Sequence, residues 1–209
     1  MESSHTPPEP ALSEPSSLPD VSRLRIRRMR DEDTAGILPI ESVSFGRQHW
    51  SPESFRNEMN NPLGRYYVFA EAAQDAAEAP CEQIIGYCGL WVVIDEAHIT
   101  TLAVHPQRRG QHLGELLFSH CLDRLMGQVI HVVTLEVRAS NTGAQALYQK
   151  YGFEVMGVRP RYYQDTHEDA LIMSLNAFLG EENRKRYAEL KQALMQKFNG
   201  ALPQGFGLP

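Results

Sequence analysis

Residues 101–114 read TLAVHPQRRGQHLG: an apolar run closes at Val104, a basic turn follows with glycine at position 110, and leucines then recur at a new spacing. Strand side chains alternate, whereas helix side chains repeat every ~3.6 residues, so the change of period marks a strand passing into a helix. Leu113, Leu116, Leu117, Cys121, Leu122 and Leu125 carry the helical spacing as far as Gly127, which predicts an amphipathic helix. A turn of this kind aims unpaired backbone N–H groups along the helix axis, and the helix dipole adds partial positive charge, so a phosphate suits it as a guest. Arg108 and Arg109 strengthen that field. A capped core helix with two ordinary surface arginines has the same spacing. A Rossmann fingerprint is excluded because G-x-G-x-x-G is absent, and a Walker loop because no G-K-S/T follows.

Upstream of this junction the pattern is strand, helix, helix and then three strands. Leu24 to Arg30 predicts a strand; Asp31 is expected to cap a helix through Ile37, Leu38 and Ile40, with Pro39 bending or interrupting it. Ser51 caps the next helix, with Pro52 at its first position and Phe55 and Met59 four apart on one face. Arg65–Glu71, Gln83–Val93 and Ala97–Val104 are rich in Tyr, Val, Ile and Phe, and short connections predict a meander. Downstream come a strand at Ile130–Val137, a helix from Asn141 to Tyr151 closed by Gly152 as a left-handed cap, and strands at Phe153–Val158 and Ala170–Leu175. Strand and helix alternating around one mixed sheet is an α/β or α+β layered fold.

The 209 residues leave room for one ordinary domain with appendages. Hydrophobic residues make up 42% and charged residues 22%, enough to build a core and inconsistent with collagen, coiled coil or wholesale disorder. Residues 1–22 carry Pro7, Pro8, Pro10, Pro15 and Pro19 among serines and glutamates, which predicts a disordered tail. The domain then spans residues 23–176, and 177–209 form an amphipathic helix and tail with Tyr187, Leu190, Leu194 and Phe198 on one stripe. That stripe either packs back on the domain or serves a partner. A net charge of −6 argues against nucleic acid or an anionic membrane as a partner, and no apolar run spans a bilayer. Three cysteines without C-x-x-C spacing and eight scattered histidines predict neither a disulfide framework nor a metal site, and a reducing cytoplasm is the expected compartment.

The segment Val104 to His112 (VHPQRRGQH), V-x-P-x-x-R with Gly110 after it, followed by Leu113-Gly114, resembles the acyl-CoA pyrophosphate loop of the GNAT acetyltransferases. Leu135 to Asn141 (LEVRASN), Ala146-Leu147-Tyr148, Tyr151-Gly152-Phe153, Tyr162-Tyr163 and Glu168-Asp169-Ala170 are similar to the ribosomal-protein alanine N-acetyltransferases of the RimI type. The likeness covers about residues 24–176 and explains neither tail. It implies the GNAT fold, a mixed, mostly antiparallel sheet flanked by helices, with acetyl-CoA as co-substrate. It also implies an acceptor that is the N-terminal amine of a protein, an N-terminal alanine of a small-subunit ribosomal protein being the type case. The alternatives are the same fold acting on lysine or a small amine, and a non-catalytic acetyl-CoA-binding module.

Acetyl transfer needs a neutral amine, a polarised thioester carbonyl and a protonated leaving thiolate. Thr134, Glu136 and Arg138 alternate with Leu135 and Val137, so Glu136 leaves the sheet on its more polar face. It could pair there with Arg138 or Arg109; the resemblance makes it the base and Tyr148 the acid that protonates the sulfur. The cofactor residues it implies are Leu102, Ala103, Val104, Arg109, Gly110, Gln111, His112, Leu113, Gly114 and Asn141, with the N–H groups near Leu102 and Val104 facing the oxyanion and Asn141 also capping its helix. His112 stands where the family's loop has its first glycine; a residue just inside a helix is expected to have negative φ, so binding should survive. Acceptor choice falls to the loops Phe45–Trp50 and Arg159–Glu168, with Trp50, Tyr162 and Tyr163 holding the peptide. Glu41 either receives the ammonium end or is a solvated helix glutamate.

Overall fold

The computed structural model describes residues 18–46, 49–72 and 82–207. One mixed sheet of seven strands organises them, in the order β1-β2-β3-β4-β5-β7-β6. The strands are β1 (Leu24–Arg28), β2 (Gly64–Ala72), β3 (Glu82–Val93), β4 (Glu96–Val104), β5 (Val132–Arg138), β6 (Glu154–Tyr163) and β7 (Glu168–Leu175). The helices are α1 (Thr34–Phe45), α2 (Pro52–Asn60), α3 (Leu113–Met126), α4 (Thr142–Lys150) and α5 (Glu181–Lys197). The first four strands form an antiparallel run, as the meander predicted; β4 and β5 are parallel, joined through α3.

Alternation along β2 explains why the sheet carries a core on each face. Tyr67 and Phe69 point toward α3, packing with Leu116, Leu117 and Phe118, while Tyr66, Val68 and Ala70 point toward α1 and α2, packing with Ile37, Ile40 and Phe55. The second of these faces extends no further than β4. Beyond it, on β5, the outward positions are Thr134, Glu136 and Arg138, while Val133, Leu135 and Val137 remain in the α3 core. The polar half of β5 is therefore left uncovered by α1 and α2, and this is where a site can open.

Several boundaries differ from expectation for identifiable reasons. Residues 1–17 lie outside the described residues, but order begins before residue 23: the Asp20 carboxylate caps the 3-10 turn Val21–Arg23, and Val21 is buried in the main core. Asp31 does not cap α1. It lies in a 3-10 turn whose Asp33 accepts the Arg30 N–H (2.8 Å) and a bidentate pair from Arg27, and α1 then runs through Pro39 without a break. The first half of the segment expected as the loop Arg159–Glu168 is the end of β6, leaving only residues 164–167 as a turn before β7. Ser51 and Asn141 cap α2 and α4 through their side chains, and Gly152 has φ +92°, the left-handed conformation that favours glycine.

The helix after residue 177 packs on the domain. Tyr187, Leu194 and Phe198 of this segment are buried in the core shared with α3, and Tyr187 Oη lies 2.9 Å from both the Ser119 carbonyl and Asp123 Oδ1. The chain then returns to cover the free edge of β1, where Ile26 N–H donates to Gln204 O (2.8 Å) and Gln204 N–H to Leu24 O (3.0 Å). Covering an edge strand removes a row of unpaired backbone groups. Because Leu194 is 1% exposed, Leu194→Ala should cost about 2–5 kcal/mol in urea denaturation while the folded fraction keeps its acetyl-CoA affinity; a loss below about 0.5 kcal/mol would show that α5 is not part of the folded unit.

Candidate active site

The parallel pairing of β4 with β5 runs from Glu96↔Val132 to Ile99↔Leu135 and stops there, although both strands continue. An extra residue, Thr100, bulges β4 where the β3 register passes from Leu90↔Ile99 to Gly89↔Thr101, which bends the strand away from its neighbour. The His105 N–H donates back to Ile85 O on β3 (2.9 Å). Backbone groups alternate sides along a strand, so the N–H groups of Leu102 and Val104 face the opening that β5 has left. Hydrogen-bond donors at a strand split are what a developing oxyanion requires.

Two hollows meet at that split. One is lined by Leu102, Ala103, Val104, Arg109, Gly110, His112, Leu113, Gly114 and Asn141, together with the exposed flank of α4. At its floor the first amide bonded within α3 is that of Leu116, to His112 O (3.0 Å), so the N–H groups of Leu113, Gly114 and Glu115 have no helical acceptor. A Cβ added at Gly110 would meet nothing, and one at Gly114 only Val104 at 3.8 Å and Leu102 at 4.0 Å, ordinary contacts, so the space above the helix start is open. Arg108 is neutralised by Glu71. Arg109 instead donates to Val104 O (3.2 Å) and Ser44 Oγ (3.1 Å), and so brings to the cleft a positive charge that no carboxylate among the described residues pairs. Gln111 is the exception among the expected residues: its side chain turns inward to accept from Arg108 Nε (3.1 Å) and does not line the cleft.

His112 corrects the expectation most sharply. Its φ is +58° and its ψ +11°, a left-handed residue at the start of α3 rather than an ordinary helical one. The glycine of the family's loop is thus a matter of backbone angle as well as space, and histidine holds the angle at a cost of about 1–2 kcal/mol. The imidazole lies over the helix start, 3.3 Å from Glu115 Oε2 and 3.3 Å from Lys197 Nζ. Glu115 also meets Lys150; burial would raise its pKa, but Lys150 and His112 outweigh that and hold it low.

The second hollow adjoins the first. It is lined by Trp50, Tyr162 and Tyr163, with Glu136 on one wall, Glu41 on another, and Leu102, Asn141 and Tyr148 shared with the first hollow. Tyr148 packs against Phe118 and Phe153 yet borders both hollows, which places it where the strands part. Burial drives its phenol pKa well above the usual value, so it is protonated at neutral pH. Tyr162 and Tyr163 meet edge to face at 5.2 Å, with Arg138 over Tyr163 and Arg159 over Tyr162.

Neither expected partner of Glu136 is its partner. Arg138 turns to Asp165 (2.9 Å) and Glu168 (3.4 Å), pinning the β6–β7 turn, and Arg109 belongs to the other hollow. Glu136 Oε2 instead meets His98 Nε2 (3.0 Å), and Oε1 meets Arg159 Nη2 (3.2 Å). His98 is itself placed by Thr134 Oγ1 (2.8 Å), opposite it in the β4–β5 register. The hydrogen bond from His98 holds the Glu136 carboxyl below its ordinary pKa, against the opposing effect of burial, and Arg159 adds to it. Glu41 is not solvated: it is 3% exposed, its Oε1 accepts the Trp50 N–H (2.9 Å), and burial pushes its pKa up to about 7 against the pull of that N–H and of His49.

Residues 30–153 match the model of the acetyltransferase (GNAT) family. The chain belongs to the GNAT acetyltransferase family. It is 38% identical over 142 residues to the ribosomal protein bS18-alanine N-acetyltransferase of Salmonella typhimurium, covering 66% of this chain and 90% of that one. It is 30% identical over 159 residues to the N-alpha-acetyltransferase RimI of Mycobacterium tuberculosis, covering 74% and 93%. The crystal structure of the ribosomal-protein-S18-alanine N-acetyltransferase from Escherichia coli matches with a TM-score of 0.63 and 30% identity over 77% of this chain and 97% of that one.

Two measurements follow from the site. A carboxyl whose pKa is raised by folding destabilises the fold as pH rises from the unfolded value, near 4.5, through about 7, after which the cost is constant. Glu41→Gln keeps an acceptor for the Trp50 N–H and removes the ionisation, so the Tm of the wild type should fall by several degrees relative to the variant between about pH 5 and pH 8; parallel Tm curves would contradict the buried carboxyl. His112→Gly should leave the acetyl-CoA dissociation constant within several-fold and Tm equal or slightly higher, since glycine takes the left-handed angle freely. A weakening of a hundredfold by calorimetry would make the imidazole a ligand.

Proposed function

We propose that this protein is an acetyl-CoA-dependent N-alpha-acetyltransferase acting on the N-terminal amine of a protein, the N-terminal alanine of a small-subunit ribosomal protein being the substrate that its relatives indicate. A ribosomal substrate puts the reaction in the cytoplasm. The observation that carries the reading is the junction of the two hollows at Tyr148 and the split strands, with a carboxylate on the acceptor side and unpaired N–H groups on the other.

The cleft floor suits the pyrophosphate of CoA: three amides without helical acceptors, the charge of Arg109 and open space above Gly110 and Gly114. The bound co-substrate supplies the acetyl thioester. The N–H groups of Leu102 and Val104 donate to its carbonyl oxygen as charge develops there. An α-amine with a pKa of about 7.7–8.0 arrives mostly protonated at pH 7, and Glu136, through a water, takes the proton that must leave before attack. His98 and Arg159 fix the orientation of Glu136 and lower its basicity. Tyr148, kept protonated by burial, gives its proton to the departing sulfur, and the second proton, shed by the nitrogen as the amide forms, restores the phenol. No covalent enzyme intermediate is needed, because amine and thioester meet at one opening.

The aromatic pair supports a chain end as acceptor. Tyr163 is buttressed by Arg138, while Tyr162 is 44% exposed and free to close on a peptide backbone from one side. Glu136→Gln preserves shape, so acetylation of an alanine-initiated peptide should slow by ~10² or more with acetyl-CoA affinity and Tm nearly unchanged. Turnover near the wild-type rate would remove Glu136 from the mechanism; a collapse of Tm would make its role structural.

A further inference from the structure

Glu41 stands apart from the other carboxylates of the molecule. It lies on α1, four residues after the fully buried Ile37, and shares the inward face of that helix. Oε1 is engaged by the Trp50 N–H, but Oε2 is buried without a hydrogen-bond partner among the described residues, and the side chain lines the acceptor hollow. Buried carboxylate oxygens are ordinarily satisfied, so an orphan one on the wall of a binding hollow asks for a donor from outside the chain. Glu136, across the same hollow, has no such vacancy, since both of its oxygens already face His98 and Arg159.

We propose that Glu41 is the seat of the acceptor's α-ammonium, the carboxylate that holds the chain end as it enters, while Glu136 takes the proton later at the sheet. This deepens the proposed function and rests on it. An arriving ammonium carries the charge and the three donors that Oε2 lacks, and charge-assisted bonds of this kind are the strong ones. The contact also reads the substrate: the ammonium is held by α1, while Tyr162 and Tyr163 of β6 line the same hollow and meet the backbone that follows. No bond breaks at this stage. The titratable groups that share the hollow are Glu136 and Arg138 of β5, Tyr148 of α4 and Tyr162 and Tyr163 of β6, with His49 beside Trp50 in the connection to α2. Arg138 is committed to Asp165 and Glu168, which leaves Glu41 without a cationic partner from β5.

The test is binding rather than turnover, on enzyme saturated with CoA so that no acetyl group can move. Calorimetry compares an alanine-initiated peptide with the same peptide carrying a propionyl group in place of the alanyl residue, which keeps the shape and removes the amine. At about pH 7.5 the wild type should favour the ammonium peptide by roughly tenfold or more. That preference should fade as pH falls through about 7 and Glu41 takes up a proton. Glu41→Gln should bring the two peptides to near-equal affinity, Glu41→Asp should retain part of the preference, and Glu136→Gln should retain most of it. A tenfold preference surviving in Glu41→Gln, or no preference in the wild type, overturns the role given to Glu41; the second result needs no variant to fold. A parallel acetylation assay separates the two levels of the argument: turnover of the alanine peptide without a Glu41-dependent preference overturns this inference alone, and no turnover overturns both.

Discussion

The parting of β4 from β5 after Ile99 and Leu135 is the constraint on which the rest of the molecule depends. A sheet that stayed paired would satisfy its own backbone and offer nothing to a substrate. Here the sheet is held rigid on both sides of the break, by Ile99, Val133 and Leu135 packed against the α3 core, so the two strand ends are free to diverge without loosening. Thr100 provides the bulge, and Tyr66 Oη within 3.1 Å of its hydroxyl fixes it. The opening then does three things at once: it bares the Leu102 and Val104 N–H groups, joins the two hollows, and gives Tyr148 a place between them.

The acceptor hollow holds two carboxylates in opposite environments. Glu136 is drawn down by His98 and Arg159, and Glu41 is pushed up by burial with one oxygen unpaired. Environments that separate the pKa values of two acids allow them different tasks in one site. A carboxylate already hydrogen-bonded to an imidazole is well oriented to relay a proton through water; one that lacks a partner is suited to receive a cation.

Much of this was legible in the sequence, and the parts that were not share a cause. The change of period at Gly110 marks the start of α3, and the alternation about Leu135 and Val137 puts Glu136 on the polar face, because both depend on local geometry alone. His98 was invisible as a partner of Glu136, since their meeting depends on the parallel register of two strands separated by a helix. Arg159 was hidden because β6 runs five residues past its predicted end at Val158, as far as Tyr163. The burial of Glu41 did leave a signal, the i, i+3, i+4 stripe of Ile37, Ile40 and Glu41, but a charged residue on such a stripe is ordinarily read as its solvated edge. The left-handed angle at His112 left no signal in the residue itself, because histidine adopts it only where the loop around it demands; only the glycine of the resembling loop pointed to it.

The claim that organises these features is that the acceptor is a chain end. It is tested most directly by matched peptides with a free N-terminal alanine, with the same N-terminus blocked, and with an internal lysine, incubated with acetyl-CoA and the products located by fragmentation mass spectrometry. The account predicts an acetyl group on the α-amine of the free peptide and unmodified lysine in the blocked one, where the ε-amine, with a pKa of about 10.4, is also far more fully protonated at pH 7. Robust acetylation of the lysine in the blocked peptide would contradict it.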